Sequence, residues 1–136
     1  LVEVIPAMQT EKATTDLVLA MAVKLGKTPI TCKDTPGFVV NRLLIPYMLD
    51  AVRLLETGVA SAEDIDTAMK LGAGMPMGPF ELMDFTGVEI SHLVGEIFYA
   101  YTKEARFASP GLLRNMVSAG YLGRKAGKGF YEYPAK

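Results

Sequence analysis

The stretch that decides the fold runs from Cys32 to Leu44, CKDTPGFVVNRLL. Thr35 can cap a helix with its side-chain oxygen. Pro36 suits the first helical position, where its missing N–H leaves no bond unmade. From there Phe38, Asn41, Ile45, Met48, Val52 and Leu55 recur at helical spacing and share one face. The spacing predicts a helix from Pro36 to about Thr57, stopped by Gly58. Asn41 is the only amide on that face. An amide set among hydrocarbon is costly unless something bonds it. Two readings fit. Asn41 is a core residue satisfied by backbone or by a helix–helix seam, or it faces a cleft near the helix start and donates to a ligand oxygen.

Working outward, LVEVI is a strand-like run that Pro6 stops, and TPITC reads as a brief extended link. Between them Thr10 can cap a helix that reaches Leu25 and stops at Gly26. Downstream, SAED at Ser61 has capping-box spacing and opens a helix to about Gly72. Pro79 starts a short helix, PFELMDF. Gly87 separates it from VEISHLVGEIFYAYTKE, whose large apolar residues Ile90, Leu93, Val94, Ile97 and Tyr101 form a stripe. Ser109–Pro110 begins a last helix, stopped by Gly120, and GRKAGKG and FYEYP close the chain as a basic turn and an extended run. The expected fold class is mainly α, with about six helices and no room for a full βαβ sheet.

Composition excludes several functions. The 136 residues suffice for one domain, and 14 basic against 15 acidic side chains leave no excess that would draw nucleic acid or a membrane surface. No apolar run approaches a membrane span. One cysteine, Cys32, permits no internal disulfide and suits a reducing compartment. One histidine, His92, and one cysteine give no metal-ligand spacing, so no metal is expected. His92 sits beside the Leu93/Val94 stripe without metal partners, which reads as structural or solvent-facing.

Three further segments bear on chemistry. Glu3 shares a strand face with Leu1 and Ile5, either as an edge charge pointing to water or as a carboxylate that orients an imidazole. Met75, Pro76 and Met77, in GMPMGPF, read as the edge of the core or as the flexible wall of an acyl pocket. GRKAGKG lacks the spacing of a phosphate loop and precedes no helix, so it reads as a solvated basic turn or, less favoured, as a contact for an anionic ligand.

KDTPGFVVNRLLIPYMLDAVRLLETGVASAEDIDTAMKLGAGMPMGPFELMDFTG, followed by GRKAGKGFYEY, resembles the C-terminal domain of 3-hydroxyacyl-CoA dehydrogenases, the short-chain and 3-hydroxybutyryl-CoA enzymes most closely. The resemblance implies a helical C-terminal domain for substrate binding and dimerisation in a two-domain enzyme, its N-terminal Rossmann domain absent from this chain. It implies reversible oxidation of (S)-3-hydroxyacyl-CoA to 3-oxoacyl-CoA with NAD. In the family a histidine takes the hydroxyl proton and a glutamate bonds that histidine. Glu3 matches that glutamate and Asn41 matches the substrate-holding asparagine of the D-T-P-G-F-x-x-N motif, while the histidine would lie upstream of Leu1. Met75, Pro76 and Met77 join Asn41 as expected substrate contacts.

The expected division is residues 1–6 as the tail of an interdomain strand and 7–136 as the helical domain. No residue of the chain is expected to bind NAD, which falls to the missing domain. The expected partners are a 3-hydroxyacyl-CoA or acetoacetyl-CoA substrate, a Rossmann domain and a second copy of the chain, and the fragment alone is expected to be inactive. Bacterial cytoplasm is the expected compartment, with the mitochondrial matrix as the alternative. The competing functions are a non-catalytic helical dimerisation module and a piece of a multifunctional β-oxidation protein.

Overall fold

The computed structural model describes residues 1–134; Ala135 and Lys136, the end of the expected 7–136 span, lie outside the described residues. Six α-helices are present among them, as the spacing predicts. The chain divides into two compact units, Leu1–Arg42 and Leu43–Lys136.

The first unit is built on two short strands. β1 (Val2–Val4) and β2 (Pro29–Thr31) pair in parallel, with Glu3 opposite Ile30. Parallel neighbours cannot be joined by a tight turn. The crossover is α1 (Lys12–Lys24). The unit is therefore a β–α–β element, which corrects one expectation: Pro29–Thr31, within TPITC, is a paired strand and not a link. The pairing ties β2 and the crossover helix to β1 within this unit. Three-residue strands carry too little alternation to be read from sequence. Thr10 does not cap α1; its hydroxyl accepts from the N–H of Ala7 at 2.9 Å and closes the preceding turn.

α2 spans Val40–Glu56 and contains Pro46. It starts later than Thr35–Pro36 predicts. Gly37 and Phe38 have φ of 83° and 47°. A right-handed helix needs φ near −60°, so helical geometry begins only beyond Phe38. Residues 36–39 instead form a turn in which the Phe38 N–H donates to the Thr35 carbonyl at 3.0 Å. The late start leaves Asn41 in the first turn of α2, still in register with Ile45, Met48 and Val52. Ile45, Met48, Leu49 and Val52 are buried, whereas Asn41 is exposed.

The second unit packs around those four residues together with Ile65, Phe80, Met83, Val88, Phe98, Phe107 and Leu113. α3 (Ala62–Gly72) is capped as predicted, Ser61 Oγ accepting from the Asp64 N–H at 3.1 Å. α4 (Pro79–Thr86) has Pro79 at its start. α5 (Val88–Thr102) buries Val88, Ser91, Gly95 and Phe98. Of its stripe of large residues, Ile90, Leu93, Ile97 and Tyr101 are exposed, while Val94 packs against the core. Small residues on the inner face let α5 approach closely, and a Cβ on Gly95 would meet the Phe107 carbonyl at 3.1 Å. α6 (Gly111–Ser118) follows, and Phe98 and Phe107 meet edge-to-face at 5.3 Å.

Candidate functional site

Glu3 lies in the middle of β1, framed by ladder bonds from Val2 N–H to the Thr28 carbonyl and from Cys32 N–H to the Val4 carbonyl. Its side chain is neither lost to solvent nor idle. Oε1 accepts from the backbone N–H of Val39 at 2.9 Å and of Val40 at 3.1 Å. Those are orphan donors at the start of α2, with no partner inside the helix. Glu3 thus supplies the cap that Thr35 does not, and a carboxylate there also complements the helix dipole. Oε2 holds no hydrogen bond among the described residues.

Asn41 follows Val40 directly. Its exposed amide makes no hydrogen bond among the described residues. The two sequence-predicted polar groups are therefore brought together at one helix start, one capping it and the other standing free. Cys32 is half-buried nearby; burial, then the Glu3 carboxylate, push its thiol up, which keeps it protonated and poorly nucleophilic.

Beyond the carboxyl ends of both strands lies a cavity of about 760 Å³ lined by Pro6, Ala7, Met8, Gln9, Thr31, Cys32, Lys33 and Asp34. Open α/β sheets place their ligands at that end of the strands.

Met75, Pro76 and Met77 belong to the second unit. Met75 and Pro76 are exposed and Met77 is half-buried. They follow the end of α3, where the Met75 N–H donates to the Met69 carbonyl at 3.2 Å. His92 has a structural partner, its Nδ1 lying 2.8 Å from Ser109 Oγ ahead of α6. The cations of GRKAGKG are engaged. Lys125 pairs with Glu89, Lys128 with Glu132 at 2.9 Å, and Arg124 stacks over Phe85 and Tyr133 at 5.3 and 5.6 Å. Among the described residues no group of three or more His, Cys, Asp or Glu is placed to hold a metal ion.

Sequence reasoning missed two aspartates that organise the second unit. Asp66 is 1 % exposed and accepts from Phe80 N–H, Glu81 N–H and the Tyr131 hydroxyl at 2.8, 3.0 and 2.7 Å. It caps α4 from outside. Asp84, also 1 % exposed, accepts from Phe130 N–H, Tyr131 N–H and the Tyr133 hydroxyl at 3.0, 2.9 and 3.0 Å. The available signal was their register: Asp66 adjoins Ile65, and Asp84 stands four residues after Phe80 on an inward face.

The first unit is a β–α–β element and the second is built of helices. The comparisons give that architecture a family. The NAD-binding domain of 3-hydroxyacyl-CoA dehydrogenase matches residues 1–35, and the C-terminal domain of 3-hydroxyacyl-CoA dehydrogenase matches residues 37–133. The chain belongs to the 3-hydroxyacyl-CoA dehydrogenase family. The expectation that the Rossmann domain is absent is corrected to this extent: a segment matching it is present as β1–α1–β2.

The chain is 49 % identical over 134 residues to the mitochondrial hydroxyacyl-coenzyme A dehydrogenase of Mus musculus, covering 98 % of this chain and 43 % of that protein. It is 44 % identical to the (S)-3-hydroxybutyryl-CoA dehydrogenase PaaH1 from Ralstonia eutropha, with a TM-score of 0.94 over 98 % of this chain and 47 % of that one. The 3-hydroxybutyryl-CoA dehydrogenase from Escherichia coli superposes with a TM-score of 0.91 at 38 % identity, over 98 % of this chain and 29 % of that one. The chain spans about half the length of the curated relatives it matches.

Proposed function

We propose that the chain is the substrate-binding and dimer-forming part of an NAD-dependent (S)-3-hydroxyacyl-CoA dehydrogenase. The observation that carries this reading is the meeting of Glu3 and Asn41 at the start of α2, Glu3 holding the two N–H groups that precede Asn41. Asn41 donates its amide to an oxygen of the 3-hydroxyacyl or 3-oxoacyl group and fixes its place. Glu3 directs its free oxygen to an imidazole supplied from outside this chain, holding that ring in the tautomer that takes the substrate hydroxyl proton. NAD, when bound, accepts the hydride. The cavity at the strand ends is the part of this chain that fits the nucleotide-binding region. Met75, Pro76 and Met77 form an adaptable apolar contact for the acyl chain.

The exposed stripe Ile90, Leu93, Ile97 and Tyr101 on α5 supports homodimerisation, since a row of large apolar side chains favours a partner over water. That same stripe favours the second reading, a helical dimerisation module without chemistry. Cytoplasm or mitochondrial matrix suits the lone, unpaired Cys32. No described helix is long and apolar enough to cross a membrane.

Gel filtration and a thermal-shift assay with acetoacetyl-CoA separate the readings. We expect a dimer whose Tm rises with acetoacetyl-CoA, and no reduction of NAD by the chain alone with 3-hydroxybutyryl-CoA. A dimer indifferent to the thioester supports the module. NAD-dependent turnover by the chain alone overturns the assignment of the base to a region outside it.

A further inference from the structure

We propose that Glu3 is a positioning residue for Asn41 as well as a partner for the imidazole, with one carboxylate oxygen assigned to each task. The inference rests on the dehydrogenase reading for what Asn41 meets. The coupling itself rests on the geometry of the first unit.

α2 has no cap of its own. Thr35 is spent in a turn, and the chain then passes through Gly37 and Phe38 in the left-handed region, at φ 83° and 47°. Such a conformation is costly for phenylalanine and persists only where neighbours fix it. The turn presents the N–H groups of Val39 and Val40 to a single acceptor, Glu3 Oε1. No other bond to either N–H is present among the described residues. Glu3 is separated from Val39 by 36 positions and sits in a parallel strand pair. The sheet therefore determines where the helix begins, and Asn41 is the next residue along. Oε2 is left to face the reacting centre. The neutral Cys32 thiol beside it adds no competing charge.

Two consequences follow. A change that shortens Glu3 loosens Val39 and Val40 and shifts the Asn41 amide, even with the charge kept. A change that keeps the reach but removes the charge leaves Asn41 in place and affects only the imidazole.

Hydrogen exchange read by NMR on this chain, with kinetics on the enzyme that carries it, tests the proposal. Glu3→Asp is one methylene short. It is expected to speed exchange at Val39 and Val40 roughly fivefold, the scale of a lost cap, and to move the Asn41 side-chain NH2 resonances. Glu3→Gln, whose carbonyl oxygen still accepts, is expected to restore both. In kcat/KM the losses from Glu3→Asp and Asn41→Ala should combine less than multiplicatively, whereas those from Glu3→Gln and Asn41→Ala multiply. Unchanged exchange and an unmoved Asn41 resonance in Glu3→Asp overturn the coupling. Fully multiplicative losses for Glu3→Asp with Asn41→Ala overturn it as well. A third result is distinguishable from these: the resonances move, yet Asn41→Ala leaves kcat/KM untouched. That outcome removes the substrate role of Asn41, and the positioning role falls with the dehydrogenase reading and not through the geometry.

Discussion

Asp84 accepts the backbone N–H of Tyr131 at 2.9 Å, across 47 positions of chain. With Phe130 N–H and the Tyr133 hydroxyl it fastens the C-terminal run to α4. A buried carboxylate with three donors is stable only as a complete set. Asp84→Ala leaves three half-buried donors without their acceptor, each costing about 1 kcal/mol, the low end for a group cut off from water. We expect a loss of at least ~3 kcal/mol, read as a lower urea midpoint with little change in slope. A loss under ~1 kcal/mol would mean that water replaces the carboxylate and that Asp84 is no anchor.

Gly129 tests the same anchor from the other side. A Cβ there would lie 2.0 Å from Asp84 Oδ1, far inside contact distance. Gly129→Ala should destabilise about as much as Asp84→Ala. Because both break one network, the double variant should cost clearly less than their sum. Additive losses would place the damage elsewhere.

Asn41→Ala separates function from packing. The amide is exposed and holds no hydrogen bond among the described residues, so its removal should change Tm little. If it donates to a substrate oxygen, the loss is on the order of 1–3 kcal/mol, or about fivefold to 150-fold in kcat/KM of the whole enzyme. A drop in Tm without a kinetic loss favours the structural reading.

The helices were legible because their spacing and stops are local. Ser61 capping α3 and Pro79 opening α4 are written in four or five adjacent residues. The start of α2 was misread because its real cap, Glu3, is far away in sequence, and no local rule sees a carboxylate arriving from a strand. The α5 stripe is legible as a periodicity, but a periodicity count does not say which face turns inward. Close packing selected the small face, Ser91 and Gly95, instead. Glu3 and Asn41 stand out as polar groups on apolar faces and the family motif gives them roles, but their shared helix start came only from the fold. Asp66 and Asp84 were passed over because an acidic side chain reads as surface until its donors are known.

The tyrosines of the second unit give the chain an alkaline limit. Burial first, then the hydrogen bond to Asp66, push the Tyr131 hydroxyl far above its ordinary 10.0. Burial and the bond to Asp84 push Tyr133 up as well, and burial followed by Asp66 does so for Tyr47. A group whose pKa is higher folded than unfolded stabilises the fold fully below the unfolded value. Above pH 10 the unfolded chain releases those protons while the folded chain keeps them, so stability falls as pH rises. For Tyr131, partly screened by solvent, the slope should reach no more than ~1 kcal/mol per pH unit. Tyr131→Phe loses the Asp66 bond and is less stable than the parent at pH 8 by about 1 kcal/mol. It lacks the ionisable hydroxyl, so the gap should close between pH 10 and 11. Urea midpoints at pH 8, 10 and 11 for both proteins decide it: a gap constant across that range would show that Tyr131 ionises no differently folded than unfolded.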